Sequence, residues 1–143
     1  MTKKISYKIV GKYIKDLIFN IPNAKTFFLL SKNIENYKVN IDIRSKQIDK
    51  KIIEIQTSMS LTPIKEDFDK INTKIIFATI IEISYDEIEK KDIEKIILID
   101  VPNEIYGELR KIFVSLFESS GFKSIKINES VDFQKLYNLR KIQ

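Results

Sequence analysis

The sequence predicts an α+β fold: a four-stranded antiparallel sheet followed by a long amphipathic helix and a short C-terminal helix. Three observations carry that class. Apolar and polar residues alternate along several segments of the first half, and apolar residues recur at helical spacing from Ile105 to Phe117. The strand-like segments also precede the helical ones, as in folds with helices on one face of an antiparallel sheet. A chain of 143 residues, 43% hydrophobic and 31% charged, makes one soluble domain over residues 1–143 with a real core. Neither repeats nor low-complexity linkers divide it.

The first strand spans residues 5–19, with Ile5, Tyr7, Ile9, Tyr13, Leu17 and Phe19 on one face and Lys8, Lys12 and Asp16 on the other. Gly11 interrupts the side-chain row where a bulge or bend belongs, and Pro22-Asn23 ends the strand. Thr26-Phe27-Phe28-Leu29-Leu30 is apolar but too short for a helix between turn signals. Tyr37, Val39, Ile41 and Ile43 alternate with Lys38, Asn40, Asp42 and Arg44 as a second strand. Ile53, Ile55, Thr57, Met59 and Leu61 mark a third, ending at Thr62-Pro63. After the charged Lys65-Glu66-Asp67, Ile75–Ile83 is apolar on both faces and reads as a buried central strand.

Asp86–Lys95 is polar and charge-mixed, and Ile96-Ile97-Leu98-Ile99 fits a strand or a short helix equally well. Ile105, Tyr106, Leu109, Ile112, Phe113, Leu116 and Phe117 then form the stripe of an amphipathic helix. Pro102 and Asn103 serve as its start and Gly121 as its cap. Ile125 and Ile127 form a short extended piece, and a last helix starts near Asp132.

Absent residues exclude whole chemistries. Without cysteine or histidine there is no disulfide, thiolate nucleophile, Cys/His zinc site or Ser-His-Asp triad. No carboxylate or lysine constellation suggests an enzyme, and no cofactor is implied. No apolar run approaches the roughly 20 residues that span a bilayer. The basic N-terminus lacks the apolar stretch of a secretory signal, so a cytoplasmic location is expected. The formal charge of +5 invites a nucleic-acid reading. However, Lys8, Lys12 and Lys15 precede Asp16 mostly on the polar strand face, as a solvated face would have them.

The run Tyr13-Ile14-Lys15-Asp16 leading to Pro22-Asn23-Ala24 resembles the opening strand and crossover loop of the bacterial protein-export chaperone SecB. There, Tyr-x-Lys-Asp leads to a Pro-Asn/Ser-Ala-Pro turn. Near the other end, Asp100-Val101-Pro102-Asn103-Glu104-Ile105-Tyr106 stands at the place of a Cys-Pro-x-x-x-Phe-Pro segment. Ser120-Gly121-Phe122 stands at a Gly-Phe-Pro turn, and Val131-Asp132-Phe133-Gln134-Lys135-Leu136-Tyr137 at a final Asp-Phe-x-x-Leu-Tyr helix. The order and spacing of these motifs hold over nearly the whole chain. The chain departs from the family pattern in being basic and in running through Ile80–Ser84 without glycine.

The resemblance implies a chaperone, not an enzyme. It would bind unfolded preproteins in hydrophobic grooves, keep them export-competent and deliver them to the SecA motor. By itself the Phe27, Phe28, Leu29 and Leu30 segment reads more readily as core. The resemblance instead places it in a client groove with Val39, Ile41 and Ile43. It also implies a homotetramer, a dimer of dimers, with the first strand pairing across a two-fold axis. Ile105, Leu109, Ile112, Phe113 and Leu116 would lie at the oligomer interface. For SecA it points to Asp16, to Asn20 where a glutamate is common, and to Thr79. Neither nucleic-acid binding nor membrane insertion follows from it. The contrasting alternative is a small basic α+β module that binds RNA or the ribosome, and a third is a structural oligomer without clients.

Overall fold

Four antiparallel strands form one sheet in the spatial order β1-β4-β3-β2. They are β1 (Tyr7–Asn20), β2 (Tyr37–Asp49), β3 (Ile52–Pro63) and β4 (Asn72–Ile83). The computed structural model describes residues 6–32, 37–64, 71–84, 89–122, 125 and 127–142. Ile5, the Lys65–Asp67 connection and the start of the polar segment at Asp86 lie outside the described residues. Strand β4 holds the central position expected for its apolar run, with Ile75, Phe77, Ala78, Ile81 and Ile83 buried.

Helices cover one face of the sheet. Ile53, Ile55, Met59 and Leu61 of β3 and Ile75, Phe77 and Ile81 of β4 point toward them and are buried. In β1 the alternation breaks twice, between Ile9 and Gly11 and between Ile14 and Asp16. Each bulge adds one residue and reverses which face the next side chain meets. The first is the break expected at Gly11. The second restores the phase, so only the residues between them are inverted. Lys12, assigned from alternation to the solvated face, therefore turns to the helices and its Nζ pairs with Glu108 at 2.5 Å. Tyr13 turns to the opposite face, correcting its placement in the apolar row, and its hydroxyl donates to Glu54 at 3.0 Å.

The segment after β1 is a helix, α1 (Ala24–Lys32), not an irregular loop. Asn23 caps it: its Oδ1 accepts the Thr26 amide at 2.8 Å and the Thr26 hydroxyl at 3.0 Å. Nine residues are a marginal helix alone, so burial of Thr26 and Leu30 against the core holds it.

A second helical run starts at Lys90, well before Pro102. It comprises α2 (Lys90–Lys95), a π turn over Ile96–Asp100, and α3 (Val101–Ser119). Pro102 has no amide to give the Leu98 carbonyl, and its ring would crowd that group in a regular α-helix. The wider turn just before it, closed by the Val101 amide on the Ile96 carbonyl, accommodates the ring. Ile96–Ile99, open between strand and helix in the sequence, is thus helical. At the far end Gly121 has φ 96°. The Phe122 amide donates to the Phe117 carbonyl at 3.0 Å and that of Gly121 to Glu118 at 3.1 Å. This is a Schellman cap, completed by contact between the Phe117 and Phe122 rings. The last helix, α4 (Phe133–Ile142), starts where expected: Asp132 Oδ1 accepts the Lys135 amide at 3.0 Å.

Candidate functional site: an apolar trough beside edge strand β2

Helix α3 packs over β3 and β4, and the π turn before it reaches across to β2. The row Val39, Ile41 and Ile43 on β2 faces the helices but stays half-buried. Two adjoining hollows open along this row. One, of about 290 Å³, is lined by Ile41, Ile43, Leu98, Phe133, Leu136 and Leu139. The other, of about 460 Å³, is lined by Val39, Ile41, Tyr106, Ile127, Val131 and Leu136. Ile41 and Leu136 belong to both, so the hollows form one trough with α4 as its outer wall, apolar along the β2 row and polar at Asn40, Asp42 and Asn128. Leu136 and Leu139 line it, 47% and 53% exposed, and with the half-buried β2 row they make its apolar surface contiguous.

Polar contacts hold the walls. The Tyr106 hydroxyl donates to the Asn128 carbonyl at 2.6 Å, and Arg110 Nε donates to the Ile127 carbonyl at 3.0 Å. Burial raises the Tyr106 hydroxyl above its ordinary pKa, which keeps it a neutral donor. The Tyr137 hydroxyl donates to Glu94 at 3.3 Å and ties α4 to α2. Burial and then this hydrogen bond raise its pKa also.

The expected client residues separate into two groups. Val39, Ile41 and Ile43 line the trough, whereas Phe27, Phe28, Leu29 and Leu30 sit on α1 and line neither hollow. Leu30 is fully buried core. Phe27 packs on Phe122, with ring centroids 4.8 Å apart, and Leu29 is half-buried. Phe28 alone projects, 62% exposed. The α4 wall was missed. Its signal was Leu136 and Leu139, which lie off the Phe133–Tyr137 stripe that α4 buries.

The remaining candidates need two corrections. Asp16 and Asn20 are exposed on the bare sheet face, but Thr79 points to the helices and is fully buried, so no partner can reach it. Ile105, Leu109 and Phe113 are buried against the chain's own sheet and have no surface to give a second chain. Ile112 and Leu116 keep part of theirs. Edge strand β1 exposes Val10, Tyr13, Ile14, Leu17 and Ile18.

The family model for the preprotein translocase subunit SecB matches residues 1–143. The chain belongs to the SecB family. It is 38% identical over 135 residues to the putative protein-export protein SecB of Pelagibacter ubique (strain HTCC1062), covering 94% of this chain and 96% of that one. It is 24% identical over 142 residues to the protein-export protein SecB of Anaplasma phagocytophilum (strain HZ), covering 91% and 89%. In fold it is similar to the Mycobacterium tuberculosis SecB-like chaperone solved in complex with a ChAD peptide from the HigA1 antitoxin. That similarity has a TM-score of 0.63 over 87% of this chain and 88% of that one, at 11% identity. Membership supports a protein-export chaperone, in a family of chaperones and not of enzymes.

Proposed function

We propose that the chain captures unfolded preproteins in the trough beside β2, keeps them export-competent and delivers them to SecA. The uncovered apolar row Val39, Ile41 and Ile43 facing Leu136 and Leu139 carries this reading. Among the described residues β2 is also a sheet edge, so the backbone along Val39–Ile43 is placed to pair with an extended client backbone. Folded proteins bury both kinds of group, and an open trough therefore favours unfolded chains. The process calls for no cofactor or catalysis, and it takes place in the cytoplasm.

Assembly multiplies weak sites. The exposed apolar residues of β1 suit pairing with a second copy, and the outer face of α3, flat at Gly107, suits packing between dimers, with half-buried Ile112 and Leu116 at the margin of the stripe that α3 buries. Four troughs on one homotetramer raise the effective concentration of sites along a single client. Phe28 adds an apolar projection at the α1 end of each subunit. For handover, Asp16 presents an exposed acid on the bare sheet face beside the uncharged Asn20.

The direct test is whether the purified protein holds a slow-folding preprotein unfolded, in high as well as low salt. Apolar capture persists as salt rises, whereas binding to nucleic acid falls steeply. Calorimetry with the cognate SecA, comparing Asp16→Arg with the unaltered chain, tests handover. Equal affinities would remove that step.

A further inference from the structure

Among the described residues no element crosses the sheet face opposite the helices, and the strand register orders its side chains. On most of this face each acid has a cation beside it. Glu54 accepts Lys15 at 3.0 Å, Asp42 accepts Arg44 at 3.2 Å, and Glu82 stands opposite Lys8. The end where β1 stops differs. Exposed Lys38 pairs with Thr62, and exposed Lys74 with Ser60 on one side and Ile18 on the other. Asn72 pairs with Asn20. Among the described residues no acid stands opposite either lysine, and no ion pair joins Lys74 to Asp16, its diagonal neighbour.

We propose that this end of the bare face is a docking surface for an acidic, extended protein segment. Lys38 and Lys74 take its carboxylates, while Asn20, Asn72, Ser60 and Thr62 hydrogen-bond around them. Lys38 and Lys74 stand on β2 and β4, two interstrand spacings apart and offset by two residues along the strands, so their Cα atoms are about 12 Å apart. Nearby carboxylates of one extended segment reach across such a gap. Two lysines among uncharged donors fall short of the basic clusters of about 4–8 that select anionic membranes. They also fall short of the dense phosphate neutralisation that nucleic acid demands. The inference goes beyond the handover reading and holds whether or not the partner is the motor.

The test is fluorescence anisotropy with a dye-labelled peptide of alternating glutamate and serine, which offers the trough nothing apolar. Saturable binding that weakens with salt is expected. The Lys38→Glu/Lys74→Glu protein should bind about tenfold more weakly, since two attractive contacts become repulsive. Asp16→Asn should bind the peptide more tightly. Capture of an unfolded preprotein should be the same in all three; its absence from the unaltered protein would remove the chaperone reading and leave this one standing. Failure to bind the peptide, equal affinity in the double variant, or tighter binding to duplex DNA or to phosphatidylserine vesicles would overturn the proposal.

Discussion

The Tyr13 hydroxyl donates to Glu54 Oε2 at 3.0 Å across the width of β4, on the sheet face opposite the one simple alternation assigns to Tyr13. Lys15 and Gln56 donate to the same carboxylate at 3.0 and 2.9 Å, so an acid on a central strand is saturated. The bulges in β1 make this possible.

Acid stability should depend on Glu54. The Lys15 hydrogen bond, against the opposing effect of burial and with help from Gln56 and Tyr13, holds its pKa below the ordinary 4.5. A folded pKa below the unfolded one means stabilisation that is complete above 4.5 and lost as pH falls through the lower folded value. Glu54→Gln should therefore be less stable at neutral pH and lose less on acidification. Parallel melting-temperature profiles against pH would contradict this.

Client capture should follow the trough. Ile41→Asp or Leu136→Asp should weaken capture of an unfolded preprotein about tenfold or more while circular dichroism is unchanged, because both side chains already meet solvent. Phe28→Asp should also leave the fold intact and cost capture severalfold. Leu30→Asp should unfold the chain, since it buries an unpaired charge at a cost of several kcal/mol.

Assembly should show as light scattering from about four chains of 16.8 kDa each at micromolar concentration. Leu17→Glu on exposed β1 should give smaller, folded species. Phe113→Asp should unfold instead, because Phe113 is core. Gly107 lies mid-helix and a Cβ there would meet nothing within 4 Å of the subunit, yet glycine costs about 0.5–1 kcal/mol against alanine in a helix. Close approach of a second copy, as in the proposed assembly, would account for the glycine. Gly107→Leu should leave dimers that no longer pair, and an intact tetramer would refute that packing.

Thr79 should behave as a stability residue. Its hydroxyl, like that of Thr57, is buried and finds no partner among the described residues. Thr79→Val removes an unsatisfied group at nearly constant shape and should stabilise the chain by about 1 kcal/mol in urea unfolding. SecA affinity should not change. A weakened complex would mean that Thr79 acts on docking from within the core.

Local rules suffice for what the sequence determined by itself. The strand-then-helix order, the central place of Ile75–Ile83, the bulge at Gly11, the Gly121 cap and the start of α4 at Asp132 rest on periodicity or on one residue's backbone chemistry. Tertiary structure decided the rest. Alternation cannot show the second bulge, between Ile14 and Asp16, because a bulge is a mismatch between two strands and β4 sets that register. Phe27–Leu30 becomes a helix only when Asn23 caps it and the core takes up Leu30. The same contact separates Leu30 from Phe28, two neighbours with equal claims in the sequence. Ile105, Leu109 and Phe113 form an apolar stripe that suits a core or a partner equally well, and only the sheet packed against them assigns it. The trough depends on where α3 stops covering β2. That is a property of how helix and sheet cross, and no single segment encodes it.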